Sequence, residues 1–322
     1  MRKYTIGPND AGQRLDGFLG KACPGLASSL IQKLVRTKRV KVNGKRAEPS
    51  QRLSAGDTVD VYVYEERLAE FTRGQTEAPP EVTVVYEDAN ILLADKPQGM
   101  LCHPDDGGQP ADTLIARIQS YLRAKGEWDP ARENSFVPSL CNRIDRNTGG
   151  LVIAAKNAAA LREMNEAIRL RQVEKRYLCV VHGTMERRSG RLENYLRRDT
   201  EKKRVFVERE RGEYARTAVT EYRALAEKEG LSLLEVRLIT GRTHQIRAQM
   251  AAAGHPLLGD GKYGTNALNR GYDVNRQALW AYRVRFHIPP ENPALGYLAG
   301  RCFRVADVPF AHGFGVDPGR IE

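Results

Sequence analysis

Between residues 12 and 63 the hydrophobic period changes once. Leu15, Phe18 and Leu19 recur at helical spacing, and Pro24-Gly25 closes that helix. Ser28 or Ser29 is expected to cap a second helix, in which Leu30 with Leu34 and Ile31 with Val35 form inward-facing i,i+4 pairs. From Arg39 the period drops to two: Arg39-Val40-Lys41-Val42 alternates and ends in Asn43-Gly44, a hairpin signal. A turn at Ala55-Gly56-Asp57 leads into a strand over Thr58 to Val63. Positions 64–80 show no period and end in Pro79-Pro80, so they read as a linker.

Beyond the linker, strands are expected at Val82 to Tyr86 and Ile91 to Ala94, around an Asp88-Ala89-Asn90 turn. Lys96 to Met100 reads as a rigid polar turn, Asp105 to Gly108 as a loop, and Leu114 to Leu122 as an amphipathic helix. Leu151 to Ala155 is a short apolar run of the buried-strand type. Asn157 should cap a helix that turns Leu161, Met164 and Ile168 to the core. Gln172 to Val181 enters a strand, and Ala218 to Leu225 and Leu233 to Ile239 alternate as an antiparallel pair. Gly241 turns the chain into a helix where His244, Arg247, Ala248 and Ala251 share a face. Gly254 to Gly264 is turn-rich, and Leu279 to Phe286 is a late strand. The pattern predicts an α+β chain in three parts. Residues 1–63 form a small module, 64–80 a linker, and 81–322 a large domain with a mixed, mostly antiparallel sheet and a central cleft.

Composition adds a partner. The 322 residues are 41% hydrophobic and 28% charged, which is ordinary for a folded chain and excludes a disordered one. Lys and Arg number 51 against 40 Asp and Glu, a net charge of +11 that favours a polyanion. Nucleic acid is preferred to membrane, because no run is apolar and long enough to span a bilayer. Lys33, Arg36, Lys38, Arg39, Lys41, Lys45 and Arg46 crowd the second helix and the hairpin with only Glu48 nearby, which suits a phosphate backbone. A second basic stretch runs from Arg187 to Arg216, diluted by glutamates. The five cysteines are scattered without metal-ligand spacing, and the N-terminus has no apolar signal core. Free thiols, a cytoplasmic location and a monomer are expected.

The candidate chemistry centres on Cys141 to Ala155. Asp145 stands between Arg143 and Arg146, and cations so placed favour its ionised form. The Asn147-Thr148-Gly149-Gly150 turn that follows permits close approach of a substrate or a second backbone. Arg247, bracketed by small residues, should be partly buried and so needs an anion. A two-carboxylate hydrolytic site would need a second acid; Asp88 and Asp260 are candidates by type alone. No phosphate-binding Gly-x4-Gly-Lys-Ser/Thr loop occurs, and no cofactor or metal is expected.

The motifs carry two resemblances. Gln13-Arg14-Leu15-Asp16, Ser29 to Val35, Arg39 to Gly44 and Gly56 to Val59 resemble the S-four RNA-binding domain, which implies RNA contact through Lys33, Arg36, Lys38, Arg39 and Lys41. Asn142 to Leu151, Val173 to Tyr177 and Thr240 to Arg247, with Asp95 to Gly99 and Gly259-Asp260, resemble the RluA-type pseudouridine synthases. That resemblance implies Asp145 as catalytic acid, Tyr177 packing on the target base, and Arg247 paired with the aspartate. Arg143, Arg146, Thr148, Lys175, Arg242, His244 and Gln245 are expected to contact substrate or RNA. It further implies breakage of a uridine N-glycosidic bond, rotation of the uracil and reattachment through carbon, without a cofactor. Whether the acid attacks C1′ or takes the C2′ proton is open. Structured ribosomal RNA is the expected substrate, with transfer RNA as alternative; a non-catalytic RNA-binding assembly factor is the other class. The chain departs from the family at Asn142, Gln249 and Trp280, where histidines are usual, and at Gly149, where serine is usual.

Overall fold

A computed structural model describes residues 1–63, 78–104 and 112–321. The expected linker therefore lies mostly outside the described residues, as does the Asp105 to Gly108 loop; residues 78–80 have no regular structure.

The N-terminal module contains β1 (Arg2–Thr5), α1 (Leu15–Ala22), α2 (Ser28–Arg36), β2 (Val40–Val42), β3 (Lys45–Arg46) and β4 (Thr58–Val61). Its sheet runs β1-β4-β2-β3, all antiparallel. The Asn43-Gly44 turn works as expected: both residues have positive φ, 51° and 72°, the twist a tight hairpin demands. The second helix starts at Ser28 itself, and its preceding residue, Ala27, supplies no side-chain cap. Ile31, Leu34 and Val35 are its buried residues, while Lys33 and Arg36 in its last turn stay exposed.

The large domain contains β5 (Val84–Glu87), β6 (Ile91–Lys96), α3 (Leu114–Ala124), β7 (Ser139–Leu140), β8 (Gly149–Ala155), α4 (Ala158–Arg169) and β9 (Val173–His182). It continues with β10 (Ser189–Asp199), β11 (Arg204–Glu208), β12 (Arg216–Lys228), β13 (Leu231–Leu238), α5 (Gln245–Ala252), α6 (Asn266–Asn269), β14 (Leu279–Phe286) and β15 (Cys302–Arg304). One 11-stranded sheet runs β11-β10-β12-β13-β9-β14-β8-β6-β5, with β15 beside β14 and β7 beside β8. Every pairing is antiparallel except β14 with β8, so the expected mixed, mostly antiparallel sheet is observed. The first strand begins at Val84 rather than Val82.

The sheet's centre is dry on both faces, which explains the unbroken apolar run of β8. Leu151 and Ile153 pack with Met164 of α4, whereas Val152 and Ala154 pack with Leu114, Ile118 and Leu122 of α3. Asn157 caps α4 as expected, accepting the Ala160 N–H at 2.8 Å. On the α3 side, Ile246 and Met250 of α5 form a neighbouring cluster with Tyr177 and Leu279. Ile144 touches both clusters and so anchors the loop that carries Asp145 between them. Gly150 is required: its φ is 109°, and a Cβ there would stand 2.2 Å from the Ala281 carbonyl oxygen on β14. Among the described residues no helix is long and apolar enough to cross a membrane.

Candidate active site

Asp145 sits in the turn between β7 and β8, held from below by the residues after β6. Lys96 is fully buried, and its ammonium donates to the carbonyls of Pro97, Met100 and Arg146 at 2.9, 2.7 and 3.1 Å. Burial pulls this ammonium down to about 8. The Gly99 N–H reaches the Arg146 carbonyl at 2.8 Å, and Arg146 Nε returns a bond to the Gly99 carbonyl at 3.0 Å. Thr148 N–H closes the turn on the Asp145 carbonyl at 3.0 Å. The carboxylate itself is a quarter exposed, at 25%, so one edge stays open to the cleft.

The expected partner is in place. Arg247 of α5 is buried, and its Nη1 donates to Asp145 Oδ2 at 2.9 Å across 102 positions of sequence. The same guanidinium is gripped from behind by Asp260, through Nε at 2.7 Å and Nη2 at 2.9 Å. Asp260 is fully buried and also accepts the Lys262 and Tyr263 N–H groups at 2.9 and 3.2 Å. Burial works against the Asp260 anion, but Arg247 and these N–H groups hold its carboxyl below the usual range. The Arg247 pKa is raised despite burial, because both carboxylates favour its charged form. The Tyr263 ring lies 5.2 Å from the guanidinium carbon. A bidentate grip fixes the plane of an arginine, so Asp260 aims the remaining edge at Asp145. Asp260 is thus spent on Arg247 and is not placed to serve as a second hydrolytic acid.

Tyr177, on β9, is buried and lines the cleft with Asp145. Burial first, and the Asp145 charge second, raise its phenol, so it stays neutral near pH 7. The cleft measures about 1210 Å³ and is lined by Arg143, Lys175, Arg198, Arg237 and Arg242 among others. Lys175 has no carboxylate in ion-pair reach among the described residues, and burial lowers its pKa. Arg143 and Arg242 are exposed at the rim, the latter steadied by Nε on the Thr217 carbonyl at 3.1 Å. His244 precedes α5 rather than sharing its face: it is the N-cap, with φ 52°. Its Nδ1 pairs with the Tyr263 hydroxyl at 2.9 Å, its Nε2 lies 3.8 Å from Asp145, and burial lowers its pKa.

Gln245 and Thr148 also line the cleft, and both are engaged within the fold. Gln245 is buried, and both ends of its amide are filled. It donates to Val219 O and Thr220 Oγ1 at 3.0 and 2.8 Å and accepts from Thr240 Oγ1 and Arg242 N at 2.8 and 3.0 Å. With every donor and acceptor satisfied it ties the motif loop to β12. Thr148 is buried too and takes a bond from Gln277. The departures from the family are likewise structural. Asn142 Oδ1 accepts the Ile153 N–H at 2.8 Å, and Gln249 bridges Thr220 and Asn194 inside the core. Trp280 covers Gly149, where a Cβ would stand 2.5 Å from the indole ring. In the N-terminal module, Lys33, Arg36, Lys38 and Arg39 are exposed, while Lys41 is half-buried with its ammonium 5.5 Å from the Tyr62 ring. The second basic stretch is partly self-neutralised, since Arg191 pairs with Glu193 and Glu221 and Arg197 with Glu208.

The chain is similar to known proteins over most of its length. Residues 90–252 match the sequence profile described as RNA pseudouridylate synthase, and residues 13–59 match that of the S4 (S-four) domain. The chain is 34% identical over 259 residues to an uncharacterized RNA pseudouridine synthase of Aquifex aeolicus, spanning 78% of this chain and 77% of that one. It is 32% identical over 302 residues to ribosomal large subunit pseudouridine synthase D of Yersinia pestis, spanning 88% and 86%. The solved human RNA pseudouridylate synthase domain containing 4 has the same fold, with TM-score 0.55 and 20% identity over 74% of this chain and 93% of that one. The chain therefore belongs to the RluA-type family of RNA pseudouridine synthases, and it is an isomerase with an S-four domain at its N-terminal end.

Proposed function

We propose that Asp145 initiates the isomerisation of a uridine in structured ribosomal RNA, the 23S RNA of the large subunit. Relatives such as ribosomal large subunit pseudouridine synthase D of Yersinia pestis support this reading of the target. The observation that carries the mechanism is the Asp260–Arg247–Asp145 chain, which leaves one carboxylate edge open in a basic cleft. A uridine in folded RNA must leave its stack, at a cost of roughly a few kcal/mol. Tyr177 offers the flipped uracil a neutral π-face, with stacking worth about 1–3 kcal/mol. Lys175 and Arg143 meet the flanking phosphates. Asp145 acts on the ribose, and the N1–C1′ bond breaks. The uracil turns, C5 bonds to C1′, and the C5 hydrogen leaves as a proton while N1 gains one. Product and substrate are isomers, so no second carboxylate and no water is consumed.

The test is tritium release from uridine labelled at C5. Asp145→Asn keeps the side chain's size and removes its charge, so it should bind RNA like the wild type and release no tritium. Wild-type release by the folded variant would refute the assignment.

A further inference from the structure

The hydrophobic clusters of the described residues do not cross between the two units. The cluster running from Tyr4 to Val63 shares no member with those of the large domain. Among the described residues, a set of hydrogen bonds joins the units, most of them from the loop before α1. Asp10 is 1% exposed, with no cation in ion-pair reach among the described residues. Its carboxylate accepts the Ser135 hydroxyl, the Asn134 amide at 2.7 Å and its own loop's Gly7 N–H at 3.3 Å. Asn134 Nδ2 also reaches the Thr5 carbonyl at 2.8 Å, and Gln13 Nε2 donates to Ser135 Oγ at 2.9 Å. Asn9 donates to Glu133 at 2.8 Å and accepts the Ala158 N–H at 3.0 Å. One of the orphan N–H groups at the start of α4 is therefore capped from the other unit.

We infer that Asn9, Asp10 and Gln13, seated on Glu133, Asn134, Ser135 and the first turn of α4, form a joint that determines which uridine reaches Asp145. Hydrogen bonds weaken steeply off their axes, so a polar joint fixes an angle where an apolar patch would allow sliding. The joint sets a constant offset between the exposed Lys33, Arg36, Lys38 and Arg39 face and the cleft. An RNA gripped by that face then presents only the uridine lying at that offset. The inference rests on the reading of this face as the RNA anchor.

The experiment compares the wild type with Asn9→Ala/Asp10→Ala and, from the other side, Asn134→Ala/Ser135→Ala. The second pair leaves the S-four loop's sequence intact, so it guards against simple unfolding of that loop. Three readouts are taken. They are tritium release on a short stem-loop carrying the preferred site, pseudouridine mapping on an unmodified 23S RNA transcript, and small-angle scattering. Both variants should keep the wild-type kcat on the saturating stem-loop. On the transcript, kcat/KM at the preferred site should fall at least about tenfold, further uridines should become modified, and the radius of gyration should rise. Unchanged site choice in both variants overturns the inference, whether or not scattering shows them opened. Failure of the underlying reading looks different: the wild type would then release no tritium, or reversing charge on the S-four face would leave RNA affinity unchanged.

Discussion

A side chain at Gly149 has no room while Trp280 lies over it. Glycine and tryptophan stand at two positions that pair directly between β8 and β14, so each limits what the other can be. Gly149→Ser alone should cost about 1–3 kcal/mol by overpacking. Trp280→His alone should cost about as much or more, through the space it vacates. Together they should recover at least about 1 kcal/mol of the summed loss, read as coupling in a double-mutant denaturation cycle. Additive losses would mean that the two positions are independent. Asp95 gives a prediction with a pH sign. Burial pushes its carboxyl up to about 6 from an ordinary 3.8, with Trp280 opposing the rise and Asp307 adding to it. Between these values the folded chain binds more protons than the unfolded one, so this group's stabilisation is full below about pH 4 and lost as pH rises through 6. Asp95→Asn should then melt above the wild type by roughly 2–4 °C at pH 8, with the gap closing between pH 6 and pH 4. A gap that widens on acidification would contradict it. Arg247 was legible because a guanidinium beside small side chains must find an anion when buried, while its pairing with Asp145 came from the motifs shared with the family. The sequence did not reveal that Asp260 also holds this arginine, since charges can be counted along a chain but the filling of a guanidinium's five N–H groups cannot. Nor did the place of Gln245 and Thr148 in charged motifs reveal that β12 and Gln277 engage them within the fold.

At the scale of elements, α2 is a helix whose two faces have separate tasks. Its inner face is committed to the module's core, and its last turn presents Lys33 and Arg36, cations that also suit the negative end of the helix dipole. Lys38 and Arg39 continue that surface toward the hairpin. Arg36→Glu with Lys38→Glu should weaken RNA binding and lower the slope of log affinity against log salt by about 0.7–0.9 per lost phosphate contact. The change to the dipole should cost only about 0.3–1 kcal/mol, so a melting curve separates lost contact from lost fold. An unchanged salt slope would remove this face from the RNA interface. Periodicity located the elements that bury one face, and an unbroken apolar run located β8, which is buried on both. The helical period placed His244 on α5 when in fact His244 stands outside it, at positive φ. A backbone reversal of that kind leaves no mark in a hydrophobic pattern. The cap of α2 was misplaced similarly, since serine at a helix start suggests a cap wherever the true first residue falls.

For the whole molecule, the order of strands matters more than their number. β14, from residues 279–286, is not added at an edge; it is inserted between β9 and β8 and contributes the one parallel pairing. Neither flanking strand pairs with the other, so each waits for this late segment. The module at residues 1–63, by contrast, completes its own sheet and its own core from nearby sequence. Pairings between remote segments pay loop-closure entropy before they gain contacts, and they form slowly. During synthesis the N-terminal domain can fold first, while most of the catalytic sheet is still open. For the interval needed to make the remaining residues, a few tens of seconds at about 5–20 residues per second, the nascent chain carries its RNA-binding face without an assembled cleft. With the S-four face as RNA anchor, a chain cut short ahead of β14 is expected to bind RNA without modifying it, which gel-shift beside tritium release would check.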